Sequence, residues 1–276
     1  MTRLEAGSIS HNVEKQIDNL NNGTDWLSVV SAVTELTSPE FGSRLLVQRA
    51  KAFRMLNQYV DAEKDFLTVQ THAQESSNQG LLFMSLGGLL DLQRTGDRDA
   101  AFGQNLEQAR EYADKIVMLG SERKWSFEKI HATLQVGLLA VAVNDHEKAL
   151  GIYKDCAQGC DELIEEESEA EVETLKWRVV MFQGTALERL NRKEETLEVY
   201  KYAYENVDPL HRRDRGNAAN NAGRVLLELG QHTQALEWYQ RGVEAATDSE
   251  GSVLDEVTHE AAMKAIEEIS KLLQKR

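Results

Sequence analysis

Proline and cysteine are both scarce in this chain, which has two of each in 276 residues. Proline makes up about 5% of an average protein. Because proline removes a backbone N–H and breaks the interior of a helix, its scarcity favours an almost wholly helical chain. Two cysteines are too few for a disulfide framework, and such a count is typical of a reducing compartment. We therefore expect a cytoplasmic protein.

The sequence also lacks an excess of positive charge and a long apolar run. It has 31 lysines and arginines against 46 aspartates and glutamates, a net charge of −15. Nucleic acids and anionic membranes require a positive surface, so neither is expected as a main partner. The longest apolar run, 81–92, is interrupted by Gly87, Gly88 and Asp91 and is too short to span a bilayer. Residues 1–22 lack the apolar core of a signal peptide, and membrane insertion is not expected.

Motifs that would indicate catalysis are missing as well. The phosphate-binding pattern GxxxxGK(S/T) does not occur. His146 and His232 each follow a predicted turn by two residues, as Tyr59 does, and are interpreted as packing residues. Cys156 and Cys160 would share one face of a helix, where two thiolates could supply half of a zinc site. Cys156 falls where a small packing residue recurs, so packing is preferred. The sequence predicts no enzyme, no cofactor and no metal.

A pattern repeats five times along the chain, centred on residues that readily adopt a left-handed backbone. These predicted turn residues are Asn57, Gly96, Asn144, Asn191 and Gly230. Seven positions before them stand mostly small residues: Ala50, Leu89, Gly137, Gly184 and Gly223. Nine positions after them stand mostly aromatic residues: Phe66, Asn105, Tyr153, Tyr200 and Tyr239. A small residue on one helix lets a ring on the other approach, so each repeat is predicted to be a tight helical hairpin.

This arrangement resembles the tetratricopeptide repeat, a helix–turn–helix unit of about 34 residues. The turn residues lie 39 to 48 positions apart, which is similar to long-helix members such as kinesin light chain. The resemblance implies an all-α fold, a right-handed superhelix of about five hairpins forming one continuous solenoid. Residues 1–38 would be N-terminal capping helices, 39–250 the five repeats, and 251–276 a C-terminal capping helix. The resemblance also implies that the chain binds peptides.

In such an array the first helix of each hairpin lines a concave groove. The mapping predicts a groove that is apolar in the middle and polar at both ends. The predicted peptide-binding residues are Gln48, Lys51, Leu86, Leu90, Leu134, Leu138, Met181, Asn217, Asn220, Asn221 and Arg224. Side-chain amides can pair with a peptide backbone, and an apolar floor accepts an apolar side chain or helix face. The alternative is an array whose own side chains close over that floor.

The predicted function is a non-catalytic adaptor that binds a peptide or helix of a partner protein. The alternative is a structural subunit of a larger assembly, docked through its outer face or terminal helices, and a homo-oligomer through those helices is possible. The acidic segment 161–171 is either a solvated helix extension or a docking patch. A last helix over 252–274 would cover the end of the array with one apolar stripe: Leu254, Val257, Ala261, Ala265, Ile266, Ile269, Leu272 and Leu273.

Overall fold

The chain folds into consecutive α-helices. The computed structural model describes residues 28, 30–31, 42–96, 104–121, 124–166, 170–209, 211–248 and 251–274. The helices are α1 Ser43–Met55, α2 Tyr59–Glu75, α3 Gln79–Thr95, α4 Leu106–Gly120, α5 Phe127–Ala142, α6 His146–Glu166, α7 Ala170–Arg189, α8 Lys193–Asn206, α9 Arg212–Glu228, α10 His232–Ala246 and α11 Glu256–Gln274. In these ranges the β-structure is one isolated bridge between Thr247 and Val253. The all-α prediction is confirmed. The predicted N-terminal cap lies almost entirely outside the described residues.

Contacts divide the chain into two compact units, Met1–Ala142 and Val143–Arg276. In unit 1, α1 packs on α2, and α3 packs on α2, α4 and α5. In unit 2, each of the helices α6 to α10 packs on the next one along the chain. Sequential neighbours are therefore spatial neighbours within each unit, as in a helical repeat protein.

Left-handed residues end the first helices of four hairpins, as predicted. The φ angles are 59° at Asn57, 61° at Asn144, 57° at Asn191 and 74° at Gly230. At Asn57 the N–H donates to the Arg54 carbonyl at 3.0 Å, and the next N–H donates to the Phe53 carbonyl at 2.8 Å. The same two bonds recur at Asn191 and Gly230. This is the Schellman motif, which satisfies helix carbonyls only if the turn residue is left-handed.

The prediction for the second hairpin is wrong at Gly96 and Asn105. Gly96 has an extended conformation, with φ −46° and ψ 138°. Helix α4 begins only at Leu106, and Asn105 caps it by accepting a hydrogen bond from the Gln108 N–H at 3.0 Å. The connection between α3 and α4 is thus longer than a Schellman turn, so counting nine residues from Gly96 reaches a cap and not a packing position.

Ser77, which the sequence pattern did not single out, is a further left-handed residue, with φ 53° at the end of α2. We expect Ser77→Gly to stabilise the chain by about 0.5–1 kcal/mol, because glycine relieves most of the roughly 1–2 kcal/mol cost of this conformation at a smaller entropic cost. Chemical denaturation measures the change. Ser76→Gly is the matched control: φ there is −89° and the Ser76 hydroxyl donates to the His72 carbonyl, so this change should destabilise. Equal effects of the two changes would contradict the prediction.

Rings lie on glycines where the fourth and fifth hairpins close. A Cβ added at Gly184 would lie 2.3 Å from the Tyr200 ring, and one added at Gly223 would lie 2.9 Å from the Tyr239 ring. The predicted pairing of a small residue with a ring is confirmed in these two hairpins. Phe66 of the first hairpin lies on Gly88 of α3, 2.3 Å from a Cβ built there. That ring therefore joins two successive hairpins.

The predicted apolar stripe of the last helix is only partly correct. Helix α11 begins at Glu256 and buries Thr258, Ala262 and Ile269. Ala265 and Ile266 are half-buried against the same core. The remaining large members of the stripe are exposed: Leu254, Val257, Leu272 and Leu273.

Contacts of α9 with Thr258 set the rotation of α11. The Asn220 amide donates to the Thr258 carbonyl at 3.1 Å. A Cβ at Gly216 would lie 2.4 Å from the Thr258 methyl group. At this contact Gly216 and Asn220 of α9 therefore pack against Thr258, and not against the leucines of α11.

Candidate functional site

A small concave pocket with a volume of about 70 Å³ opens in unit 1. Most of its lining comes from the first helices of three successive hairpins, α1, α3 and α5. The lining residues are Lys51, Arg54, Phe66, Met84, Gly87, Gly88, Asp91, Phe127, Glu128, His131 and Gln135. Phe66, Met84 and Phe127 form an apolar wall, and charged groups stand around it. A concave, mostly apolar pocket with a few polar groups is the usual form of a ligand site.

Two adjacent glycines of α3 form part of the pocket wall. A Cβ at Gly87 would lie 3.2 Å from the Ala132 Cα, so glycine allows α5 to approach closely. The neighbouring Gly88 accepts the Phe66 ring. Glycine inside a helix costs about 1 kcal/mol relative to alanine, so two in succession have a packing reason here. Gly87 and Gly88, which interrupt the apolar run 81–92, therefore form a part of the pocket wall that has no side chains.

Polar groups at the pocket are partly engaged with one another. The Arg54 Nε and the Asp91 carboxylate form an ion pair at 2.5 Å, and Asp91 also pairs with Arg94. The side-chain oxygen of Gln135 is buried and has no hydrogen-bond partner within the described ranges. A buried acceptor normally has a partner, so this oxygen could accept a hydrogen bond from a ligand N–H.

The structure brings one of the predicted binding residues, Lys51, to this pocket. Leu86, Leu90 and Leu134 are 3%, 0% and 2% exposed and belong to the core. The other predicted residues of the array's first four hairpins are half-buried and do not line the pocket: Gln48, Leu138 and Met181. The apolar part of the pocket lining thus comes from the half-buried Met84 and Phe127 and from the largely buried Phe66, in place of the leucines. A ligand-binding role for the leucines remains a prediction.

The predicted polar end of the groove lies on α9 in unit 2. Asn217 is exposed, and its side-chain oxygen accepts a hydrogen bond from the Thr258 hydroxyl at 3.4 Å. Asn220 donates to the Thr258 carbonyl, and Asn221 is half-buried. Arg224 forms ion pairs with Glu188 of α7 and with Glu228 of its own helix. Three of these four side chains thus have contacts inside unit 2, and their part in ligand binding remains a prediction.

Arg224 belongs to a network of polar side chains that connects the two helices of the fourth hairpin with α9. The Tyr200 hydroxyl donates to the Glu188 carboxylate at 2.7 Å, and Arg224 pairs with the same carboxylate. Burial, followed by the neighbouring Glu188, raises the pKa of Tyr200. The network joins α7, α8 and α9, which is a structural role for these charges.

The two cysteines lie in the core of unit 2. Cys156 and Cys160 are both 0% exposed. Burial, with a smaller effect of the Asp161 charge, raises the pKa of Cys160 to about 12, although Lys176 lowers it. A thiol that stays protonated is a poor nucleophile and a poor metal ligand. Within the described part of the chain, no three His, Cys, Asp or Glu side chains are grouped closely enough to hold a metal ion.

These features define an all-α helical repeat protein with a tetratricopeptide-like fold. A tetratricopeptide repeat protein from Parabacteroides merdae matches 95% of this chain and 86% of its own, with 14% identity and a TM-score of 0.53. BtubC (BKLC) from P. vanneervenii matches 100% of this chain and 94% of its own, with 15% identity and a TM-score of 0.55. No family model and no curated protein sequence matches the chain. At these identities the likeness is one of fold.

The similar solved structures and the hairpins of this chain both indicate a helical repeat protein. Over the residues that the structure describes, none of the helices combines the length and the apolar composition needed to cross a bilayer.

Proposed function

We propose that this chain is a non-catalytic adaptor that holds a peptide or helix of a partner protein against the first helices of unit 1. The pocket between α1, α3 and α5 carries the proposal, because it is concave and apolar and lies on three successive hairpins. An apolar side chain of the partner would enter between Phe66, Met84 and Phe127. We place this activity in the cytoplasm, in keeping with the low cysteine content.

The polar groups at the pocket suit a peptide better than a simple apolar molecule. The Gln135 oxygen lacks a partner among the described residues and can accept a backbone N–H. Lys51, Arg54, Asp91 and Glu128 present both signs of charge around the apolar wall. Such a combination fits one apolar anchor residue flanked by polar backbone, which is how peptide grooves gain affinity and specificity.

The proposal is tested with a random peptide display library against the full chain. Peptides enriched by selection should share an apolar anchor residue. Met84→Glu places a charge in the apolar wall, and we expect it to weaken the enriched peptides at least roughly tenfold, since an unpaired charge in an apolar site is costly. Titration calorimetry with a synthetic peptide measures the loss.

Met118→Glu is the matched control for this experiment. Met118 is an exposed methionine of α4 in the same unit, with 77% of its surface accessible, and it does not line the pocket. This variant should bind the selected peptides as tightly as the unchanged chain. If no peptide is enriched, or if the two glutamate variants bind equally well, the proposal is wrong.

A second candidate function is a structural subunit that docks through its last helix and the residues just before it. The exposed Leu254, Val257 and Leu272 favour it, with 53%, 66% and 51% of their surfaces accessible. Partner capture that survives Met84→Glu but is lost in a chain with Leu254→Ser and Val257→Ser would identify this alternative. Self-association lost in that double variant would indicate a homo-oligomer.

A further inference from the structure

Two arginines of unit 2 are paired with aromatic rings. The Arg215 guanidinium of α9 lies 4.6 Å from the ring centroid of Tyr204 on α8. The Arg241 guanidinium of α10 lies 6.0 Å from the same centroid and 4.4 Å from that of Trp238. The two rings meet edge to face, with centroids 5.3 Å apart. Three helices therefore bring two guanidinium groups to one pair of rings, which we call the arginine–aromatic cluster.

Carboxylates lie close to Arg241 along the sequence, yet they form no ion pair with the arginines of the cluster among the described residues. Glu237 and Glu244 lie four residues before and three residues after Arg241 on α10, and helical ion pairs form at these spacings. Even so, none of the ion pairs among the described residues includes Arg215 or Arg241. An aromatic face attracts a cation but does not neutralise it. The cluster thus keeps two positive charges in a chain whose net charge is −15.

The Arg215 guanidinium is also partly removed from water. Its Nε is buried and has no hydrogen-bond acceptor in the described part of the chain. Buried donors of this kind normally have an acceptor, so the hydrogen-bonding capacity of this guanidinium is not fully used within the described residues. A guanidinium that is partly desolvated also attracts an oxyanion more strongly than an exposed one, because water screens the pair less.

We propose that the arginine–aromatic cluster binds an acidic segment of a partner protein, whose aspartate or glutamate carboxylates accept hydrogen bonds from Arg215 and Arg241. Arg241 is exposed, and Tyr204 and Arg215 are half-buried, so the cluster is accessible from solvent. A short acidic segment fits better than a long polyanion, because the remaining negative charge of the chain repels a polyanion that extends beyond the cluster. The cluster lies in unit 2 and shares no residue with the pocket of unit 1.

Titration calorimetry of the full chain with a capped octaglutamate peptide tests the proposal. Octaglutamate should bind at low ionic strength and more weakly as salt is added, and a capped octaglutamine should not bind. Arg215→Gln and Arg241→Gln should each weaken octaglutamate binding roughly tenfold, since each removes a charge-assisted hydrogen bond. Because the Arg241 side chain is exposed, its replacement tests the cluster even if Arg215→Gln disturbs the fold.

Arg178→Gln is the control variant. Arg178 is an exposed arginine of α7 that takes part in none of the ion pairs or ring contacts found among the described residues. Its replacement changes the net charge by the same amount and should leave octaglutamate binding unchanged. The proposal is overturned if octaglutamate does not bind, if octaglutamine binds equally well, or if Arg178→Gln weakens binding as much as Arg241→Gln. Binding of a phosphoserine peptide without binding of octaglutamate would likewise overturn it.

Discussion

Replacing Arg49 with methionine is expected to lower the free energy of unfolding by about 3 kcal/mol. Arg49 of α1 donates two hydrogen bonds to Asp65 of α2, from Nε and from one terminal nitrogen, both at 2.7 Å. The Asp65 side chain is only 6% exposed, so without Arg49 its carboxylate stays buried with no compensating charge. Methionine retains the apolar part of the arginine side chain, so the measured loss reports mainly the charge. Urea denaturation followed by circular dichroism measures the change.

Two further variants separate the buried pair from surface charge. Lys271→Met removes the ion pair with Glu267, whose two side chains are 65% and 67% exposed, and it should change stability by less than about 0.5 kcal/mol. The double change Arg49→Met with Asp65→Leu should recover most of the loss, because it removes the buried charge as well. A single Arg49→Met variant as stable as Lys271→Met would show that the prediction is wrong.

Replacing Gly184 with alanine is expected to cost about 2 kcal/mol, although alanine is the better helix former. The added Cβ would lie 2.3 Å and 2.6 Å from two carbons of the Tyr200 ring. Tyr200 is 1% exposed, and its hydroxyl is bound to Glu188, so the ring cannot move away without breaking that bond. Overpacking of this kind costs about 1–3 kcal/mol, which outweighs the gain in helix propensity. The same denaturation experiment measures it.

Gly151→Ala is the matched control, since Gly151 lies inside α6 of the same unit and an added Cβ there would meet nothing within 4 Å beyond its chain neighbours and its own helix backbone. There alanine should stabilise by about 0.5–1 kcal/mol. Both substitutions replace a helical glycine with alanine. We expect changes in stability of opposite sign, because only the Cβ added at Gly184 would meet an aromatic ring. Shifts of the same sign would contradict the packing described for Tyr200.

The hairpins could be predicted because their turns depend on a backbone conformation that few residues adopt. Asn57, Asn191 and Gly230 are Schellman residues whose identity follows from the positive φ. The pattern fails at Gly96 because glycine is also common where no left-handed residue is needed. Ser77 was missed because serine is rarely left-handed, although its N–H and the next one make the same pair of bonds.

The candidate site was less predictable because side-chain direction depends on how the helices rotate. Leu86 and Gly87 are consecutive residues of α3, yet Leu86 belongs to the core and Gly87 lines the pocket. Asn220 has the right polarity for a ligand, but its amide reaches Thr258 of a helix that lies far along the sequence. Such contacts follow from tertiary packing and not from the periodicity of one helix.

The position of the Phe66 ring distinguishes the first hairpin from the fourth and fifth. Tyr200 and Tyr239 rest on glycines of their own hairpins, so each of those hairpins carries both parts of its closure. Phe66 rests on Gly88 of the hairpin that follows. A gene duplication of the fourth or fifth hairpin would therefore keep this contact between ring and glycine. A copy of the first hairpin would keep the contact of its Phe66 ring with a glycine only where the neighbouring hairpin has a glycine at the matching position.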